Sequence, residues 1–196
     1  MALLNSLKRE INCKVVYYGP GFSGKTTNLI YVHNKLTPAT RGELISMATQ
    51  TDRTLFFDFL PLDLGKVQGW QMRMSLYTVP GQVEYNASRK LILRGADAVV
   101  FVADSDALRS ADNIESLQNL QTNLTDFGMV LEELPFVLQY NKRDLKNPMA
   151  VERMEKELNR WGVPSFEAVA SDGPGVFATL KSVSKLLLND LSSLVK

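Results

Sequence analysis

The sequence predicts an α/β fold with three layers, in which helices cover both faces of a mostly parallel six-stranded sheet with one antiparallel hairpin strand at its edge. Three observations lead to this prediction. Short β-rich apolar segments alternate with helical segments along most of the chain. Ala98–Ser105 is a nearly continuous apolar run, as expected for a strand of a parallel sheet that is buried on both faces. Two adjacent strands between residues 54 and 79 indicate a single hairpin.

Each predicted element rests on apolar periodicity that is bounded by turn residues. The hairpin turn is predicted at Asp63–Lys66, with Gly65 in the turn. No repeat, linker or low-complexity segment divides the chain, so we predict a single domain over residues 1–196. In chain order we predict strand 13–18, helix 24–36, the hairpin strands within 54–79, helix 84–96, strand 98–105, helix 106–128, strand 135–141, helix 149–162, strand 165–170 and helix 175–195.

Composition and charge limit the classes of function. The hydrophobic fraction of 45% and the charged fraction of 22% are typical of a globular protein with a buried core. The net charge of +1, with both signs interspersed, argues against nucleic-acid binding. Cys13 is the single cysteine, which favours a reducing, cytoplasmic location. No apolar run reaches the ~20 residues of a membrane span, and we find no lipidation motif. We therefore expect neither a membrane span nor a lipid anchor.

The segment GPGFSGKTT, residues 19–27, matches the phosphate-loop pattern G-x-x-x-x-G-K-[ST] between a predicted strand and a predicted helix. In such a loop, backbone N–H groups surround a phosphate and the helix N-terminus adds partial positive charge. Lys25 is predicted to reach the β- and γ-phosphates, and the Thr26 hydroxyl to bind Mg²⁺. A chance glycine-rich turn is the alternative, which the correct flanks disfavour. The predicted nucleotide-binding residues of this loop are Gly21, Phe22, Ser23, Gly24, Lys25, Thr26 and Thr27.

A second motif, N-K-R-D at residues 141–144, follows a predicted strand. The Asp144 carboxylate can accept hydrogen bonds from N1–H and the exocyclic amine of guanine, whereas adenine offers no such pair of donors. The aliphatic part of Lys142 can lie over the base, and Asn141 can link this loop to the phosphate loop. A solvated charged turn is the alternative. The motif predicts guanine as the base, with GTP as substrate and GDP as product.

The ordered set of phosphate loop, Gly-Gln turn and N-K-x-D resembles the small Ras-like GTPases over nearly the whole chain. The resemblance implies the P-loop GTPase G-domain fold and Mg²⁺-dependent hydrolysis of GTP. Members of this family support the base with a third loop, usually Ser-Ala-Lys, which corresponds here to Val169, Ala170 and Ser171. The Ala170 N–H is expected to reach the guanine O6, while Ser171 stands in place of the usual lysine.

The resemblance also implies a first switch, in which a threonine before the second strand binds Mg²⁺ and senses the γ-phosphate. Thr54 is our candidate, because it directly precedes the apolar strand that begins at Leu55. Thr49 and Thr51 are alternatives in the same polar connection. A long polar connection suits a segment that is ordered in one nucleotide state and released in the other.

Arg53 and Gln82 are the predicted catalytic residues beside Lys25. An arginine in the first switch can stabilise the charge that develops on the transferred phosphoryl group. The alternative for Arg53 is a surface arginine that pairs with Asp52 or with an acidic group of a partner. Gln82 is predicted to orient the attacking water, and a structural glutamine in a turn is its alternative.

The segment YTVPGQ, residues 77–82, carries the second switch. Gly81 is predicted to donate its N–H to the γ-phosphate. Thr78 stands where Ras-like proteins carry an aspartate that acts on magnesium through a bound water. We expect Thr78 to hydrogen-bond that water, and Asp58 or Asp52 to supply the missing charge.

Four segments together most resemble the bacterial polarity GTPases of the MglA type, a Ras-like branch tied to gliding and twitching motility. They are residues 19–29, 51–65, 77–82 and 141–144. The resemblance implies a role in polarity and motility, recruitment to a cell pole through partners, and a dimeric roadblock-domain activator of the MglB type that repositions the GTPase's own arginine. We also expect effectors to bind the switch regions and strand 55–62, which is predicted at the sheet edge.

Two other functions stay open on the sequence. A nucleotide-gated binding module would hold GTP with little turnover, and Thr78 would mark the lost activity. Arg53 and Gln82 favour hydrolysis over this alternative. A P-loop ATPase or small-molecule kinase is disfavoured by the N-K-R-D motif, which selects guanine.

Overall fold

The computed structural model of the chain describes residues 3–5, 8–47, 57–67, 69–82 and 85–194. The elements in chain order are β1 (Leu3–Asn5), β2 (Glu10–Tyr18), α1 (Lys25–Lys35), β3 (Ile45–Met47), β4 (Phe57–Val67), β5 (Trp70–Thr78), α2 (Asn86–Leu93), β6 (Ala98–Asp104), α3 (Ser110–Thr125), β7 (Phe136–Asn141), α4 (Val151–Leu158), β8 (Ser165–Glu167) and α5 (Val176–Leu194).

All of these strands join one eight-stranded sheet, in the order β3-β4-β5-β2-β6-β7-β8, and β1 pairs with the start of β2. The pairings β5-β2, β2-β6, β6-β7 and β7-β8 are parallel, whereas β1-β2, β3-β4 and β4-β5 are antiparallel. The predicted α/β fold is confirmed. The sheet has two strands more than predicted, β1 and β3, each of 3 residues.

Helices bury both faces of the sheet. All seven residues of β6 are buried, as the apolar run in the sequence predicts for a central parallel strand. Helices α1 and α5 pack on one face, and α2, α3 and α4 pack on the other. The spacing of apolar residues in α5 places one stripe of the helix on the sheet. The buried members of that stripe are Val176, Leu180, Val183 and Leu187.

Two predictions about the hairpin are wrong. Gly65 lies inside β4, at a break in the pairing register with β5, so the turn comes later and includes Gly69. The positive φ of 78° at Gly65 therefore serves a bulge and not the turn. Nor is β4 the edge, because Ile45–Met47 pairs antiparallel with Phe57–Phe59. A strand as short as β3 is too brief to show an alternating pattern in the sequence.

Among the described residues, none of the helices is both long enough and apolar enough to cross a membrane.

Candidate active site

The predicted motifs meet at the carboxyl edge of the parallel strands. The phosphate loop follows β2, the Gly-Gln turn follows β5, the N-K-R-D motif begins at the end of β7, and the third loop follows β8. Ligands of open α/β sheets bind at this edge. A cavity of about 460 Å³ lies over the phosphate loop, and its size is suitable for part of a nucleotide. Its lining includes Lys25, Thr26, Asp58, Thr78 and Gly81.

The phosphate loop connects β2 to α1 in a strained conformation. Gly24 has a φ of 98° and lies against the Asn141 amide, where a Cβ would meet Nδ2 at 2.1 Å. Phe22 has a φ of 63°, which is unusual for a residue other than glycine. Phe22 is 81% exposed, and it lines the cavity over the loop. Ser23 is buried, and Thr27 is half-buried.

Lys25 is buried at the base of the loop. Its ammonium donates hydrogen bonds to the carbonyls of Gly19 at 2.9 Å and Pro20 at 2.6 Å. Burial, together with the nearby Arg89 guanidinium, lowers the pKa of Lys25 to about 7, and the Asp58 carboxylate opposes this shift. Nucleotide phosphates carry negative charge, which would raise the pKa of this lysine again.

Asp58 joins Thr26 and Thr78, two residues of the predicted magnesium site, into one cluster. The alternation of β4 buries Asp58 on the same side of the sheet as α1. Its Oδ2 accepts hydrogen bonds from Thr26 Oγ1 at 2.5 Å and from Thr78 Oγ1 at 2.8 Å. Its Oδ1 accepts a hydrogen bond from Ser46 Oγ, and its N–H donates to Thr78 Oγ1 at 2.8 Å. The structure therefore places a carboxylate beside the threonine that replaces the usual aspartate.

The oxygen atoms of this cluster fit a magnesium ion. A hydroxyl has one proton to donate and two lone pairs. The Thr26 hydroxyl donates its hydrogen bond to Asp58, so the lone pairs of the Thr26 oxygen can face a cation. Mg²⁺ prefers oxygen ligands and commonly takes only one or two from the protein, with phosphates and waters completing its shell.

Asn141 holds three loops together. Its side-chain Nδ2 donates to the Ser23 carbonyl at 2.7 Å, and its Oδ1 accepts from the Ala170 N–H at 2.9 Å. The expected link between the base loop and the phosphate loop is present in the structure. Asp144 is exposed, as a residue that contacts a base at the surface needs to be.

Lys142 is held by a carboxylate that the sequence analysis missed. Lys142 Nζ lies 2.6 Å from Asp104 Oδ2, and the Asp104 side chain is only 1% exposed. Lys142 also has a φ of 65°, a conformation that costs free energy for a residue with a side chain. The side chain of Asn113 fixes the backbone of Asp104 in turn. Its Oδ1 accepts from the Asp104 N–H at 2.9 Å, and its Nδ2 donates to the Asp104 carbonyl at 2.8 Å.

We predict that Asp104→Asn lowers the affinity for GDP by roughly tenfold, because a hydrogen bond to a charged group contributes about 1.5–3 kcal/mol and here one partner is partly exposed. Fluorescent GDP binding measures the effect. Asp126→Asn is the matched control, since Asp126 forms an exposed ion pair with Lys90. Wild-type affinity in the Asp104 variant would contradict the role given to this carboxylate.

The third loop lies beside Asn141 as predicted, but its backbone is already engaged. The Ala170 N–H donates to Asn141, so a bond from this N–H to guanine O6 stays a prediction. The Val169 carbonyl accepts from the Gly173 N–H at 2.7 Å, which closes a tight turn. Ser171 is exposed at the tip of that turn.

The Gly-Gln turn packs on the phosphate loop. A Cβ at Gly81 would lie 2.3 Å from the Cα of Gly21, so only glycine allows this approach of the two backbones. Gln82 is exposed and lines a second cavity, of about 260 Å³, between the phosphate loop, this turn and α3. The turn therefore brings Gln82 to the side of the phosphate loop.

The first-switch candidates lie outside the described residues. They are Arg53 and Thr54, the alternatives Thr49 and Thr51, and Asp52. The assignments made for them stay predictions.

Two further residues complete the site, and the sequence carries a weak signal for only one of them. Asp104 ends a strand at the carboxyl edge, where polar residues often serve a ligand. Arg89 is fully buried in α2 and contacts the Gly-Gln turn. An arginine in a helix is normally exposed to solvent, so sequence periodicity could not identify Arg89 as a buried residue.

A sequence model of the Ras family matches residues 14–189. The chain is 59% identical to the "Mutual gliding-motility protein MglA" of Myxococcus xanthus (strain DK1622), over 97% of this chain and 98% of that protein. It is 24% identical to the Ras-related protein RABG3c of Arabidopsis thaliana, over 93% of this chain and 85% of that protein. With Ras-related protein Rab7 of Pisum sativum, identity is 25% over 91% and 83% of the two chains. The chain therefore belongs to the Ras family, as a small GTPase of the MglA type.

Proposed function

We propose that this GTPase hydrolyses GTP slowly by itself. Hydrolysis becomes faster when a partner orders Arg53 and Gln82 of the GTPase. The observation that carries the proposal is the contact of the Asp58 carboxylate with both Thr26 and Thr78. This contact keeps a negative charge at the predicted magnesium site, although the second switch has lost its aspartate. A site equipped in this way favours turnover over passive nucleotide storage.

Thr26 and Thr54 are the proposed magnesium ligands, and Thr78 and Asp58 act around them. When bound, Mg²⁺ neutralises charge on the β- and γ-phosphates. Asp58 orients the Thr26 hydroxyl by accepting a hydrogen bond from it. Thr78 holds Asp58 in place, because its hydroxyl both donates to the carboxylate and accepts from the Asp58 N–H.

Lys25 and the base loop provide nucleotide binding. Lys25 exchanges the two carbonyls of its own loop for oxygens of the β- and γ-phosphates, which are better partners for an ammonium. The proposed base contacts come from Asn141, Lys142 and Asp144. Asn141 supports this role because it fixes the base loop to the phosphate loop.

Hydrolysis itself uses the two switches. Gln82 orients a water for attack on the γ-phosphorus. The water oxygen bonds to that phosphorus, the bond from the phosphorus to the bridging oxygen of GDP breaks, and the water proton passes to the released phosphate. Gly81 donates its N–H to the γ-phosphate. Arg53 stabilises the charge that develops on the phosphoryl and bridging oxygens, which is the role of an arginine finger supplied in cis.

The proposed partner is a dimeric roadblock-domain protein of the MglB type, and the proposed process is bacterial motility with polar recruitment through partners. The name of the Myxococcus xanthus relative, a gliding-motility protein, supports the motility role. For partners that add a strand to the sheet, β3 is the available outer strand, because β4 is already paired on both sides. The side chains of β3 are exposed.

Single-turnover GTP hydrolysis, measured with and without a roadblock-domain dimer, tests the proposed function. We expect slow turnover alone and a large acceleration by the dimer. If the bound GTP stays unhydrolysed in both conditions, the result would favour the alternative of a nucleotide-gated binding module.

A further inference from the structure

Arg89 is a fully buried arginine in the middle of α2. A buried charge is costly unless polar groups surround it, so its contacts identify what it holds in place. The Arg89 guanidinium has three hydrogen bonds among the described residues, and two of them go to the backbone of the second switch.

The switch contacts of Arg89 lie on consecutive residues. Its Nε donates to the Pro80 carbonyl at 2.8 Å, and its Nη2 donates to the Gly81 carbonyl at 2.5 Å. A planar guanidinium fork fixes the direction of both carbonyls at once, which a lysine ammonium does not do. Arg89 therefore sets the orientation of the peptide that leads into Gln82.

A polar network anchors the guanidinium to the rest of the fold. Its Nη1 donates to Asn119 Oδ1 on α3 at 2.9 Å, and its guanidinium carbon lies 5.5 Å from the centre of the Tyr18 ring on β2. Asn119 also accepts from the Tyr18 hydroxyl. Asn123 donates to the Tyr18 hydroxyl at 3.0 Å and to Asn86 at 2.8 Å. Arg89 is thus held by β2 and α3 while it holds the switch.

We propose that Arg89 is a positioning residue for GTP hydrolysis, which holds the Pro80–Gly81 turn so that the Gly81 N–H and the Gln82 side chain face the γ-phosphate. The inference rests on the role proposed above for Gln82. Gly81 supports it independently, because its backbone is packed directly on that of Gly21 in the phosphate loop. The hydrogen bonds of Arg89 go to the carbonyls of the turn and to Asn119, so we assign it a positioning role.

Single-turnover GTP hydrolysis by Arg89→Lys tests the proposal. The lysine keeps the charge and loses the fork, so we expect a rate roughly 10- to 100-fold lower, the loss associated with small displacements of catalytic groups. GDP affinity of Arg89→Lys is expected to stay within about threefold, because the charge near Lys25 is kept and Arg89 bonds no residue of the base loop. Arg89→Met keeps an unbranched apolar side chain without a buried charge, and we expect the same slow hydrolysis from it.

Lys90→Met is the matched control, because it removes a positive charge from the same helix, where Lys90 forms an exposed ion pair with Asp126 and contacts no switch carbonyl. It is expected to leave hydrolysis unchanged. In a Gln82→Ala background, the slowing by Arg89→Lys is expected to shrink, because residues that act as a unit are not additive.

Wild-type hydrolysis in both Arg89 variants, or equal slowing in Lys90→Met, would overturn the proposal for Arg89. In those cases Gln82→Ala would still be slow. Wild-type hydrolysis in Gln82→Ala itself would instead refute the role of Gln82, and the proposal for Arg89 with it.

Discussion

Arg53→Ala is expected to lower the partner-stimulated rate of GTP hydrolysis by roughly 10³-fold or more, the range associated with an arginine finger. The charge that develops during transfer spreads over the γ-phosphate and bridging oxygens, and a guanidinium stabilises it more in the transition state than in bound GTP. The loss should therefore fall on the rate, while the affinity for GTP changes by less than about threefold.

Arg73→Ala is the matched control for this loss. Arg73 lies near the start of β5, whereas the site lies at the carboxyl end of that strand. Arg73 forms a partly exposed ion pair with Glu10 at 3.6 Å. Rapid-quench measurements with the roadblock-domain dimer in excess compare the two variants. If Arg53→Ala is stimulated as strongly as the unchanged protein, Arg53 is not the finger.

Asp58→Asn is expected to raise the Mg²⁺ concentration needed for half-maximal GTP hydrolysis by roughly 10- to 100-fold, the usual cost of losing a group that orients a metal ligand. The amide keeps the size of the side chain but removes its negative charge and one of its two acceptors. Thr26 then loses its charged acceptor, and Thr78 cannot replace it.

Asp63→Asn is the matched control on the same strand. Asp63 accepts hydrogen bonds from the Gly65 N–H and the Gln71 amide, far from the nucleotide edge. Its magnesium dependence is expected to equal that of the unchanged protein. A thermal melt of the GDP-bound forms separates a lost metal contact from a general loss of stability.

The phosphate loop, the base loop and the α/β fold were predictable because each depends on local sequence. Glycines and Lys25 at fixed spacing, between a strand and a helix, leave few conformations for residues 19–27. The parallel sheet follows from alternating strands and helices. Asn141 was predicted to link two loops, because strand ends in such a sheet converge on one edge.

The contacts of Asp104 and Arg89 were not predictable, because they join residues that are distant in sequence. Lys142 meets Asp104 only because β6 and β7 are neighbours with a particular register. The hairpin errors have a different cause. A glycine with positive φ serves a bulge as well as a turn, and the sequence of β4 does not distinguish them.

The sequence predicted that Asp58 or Asp52 supplies the charge missing at Thr78, and Asp58 was the residue assigned to the site beside Thr78. Strand alternation alone does not say which carboxylate reaches the phosphate loop. The pairing of β4 with β5 brings Asp58 beside Thr78, and the packing of α1 brings Thr26 to the same carboxylate. The structure places Asp58 beside Thr26 and Thr78, whereas Asp52 lies outside the described residues.

The most direct test of the role proposed for Asp58 exchanges the side chains of Asp58 and Thr78. Thr78 Oγ1 and Asp58 Oδ2 are 2.8 Å apart, so the double variant Asp58→Thr/Thr78→Asp returns a carboxylate to almost the same place. The measurement is the Mg²⁺ dependence of single-turnover GTP hydrolysis for the unchanged protein, Asp58→Asn and the double variant. We expect a large loss in Asp58→Asn and recovery to within a few-fold in the double variant. An unchanged magnesium dependence in Asp58→Asn would contradict the role proposed for Asp58.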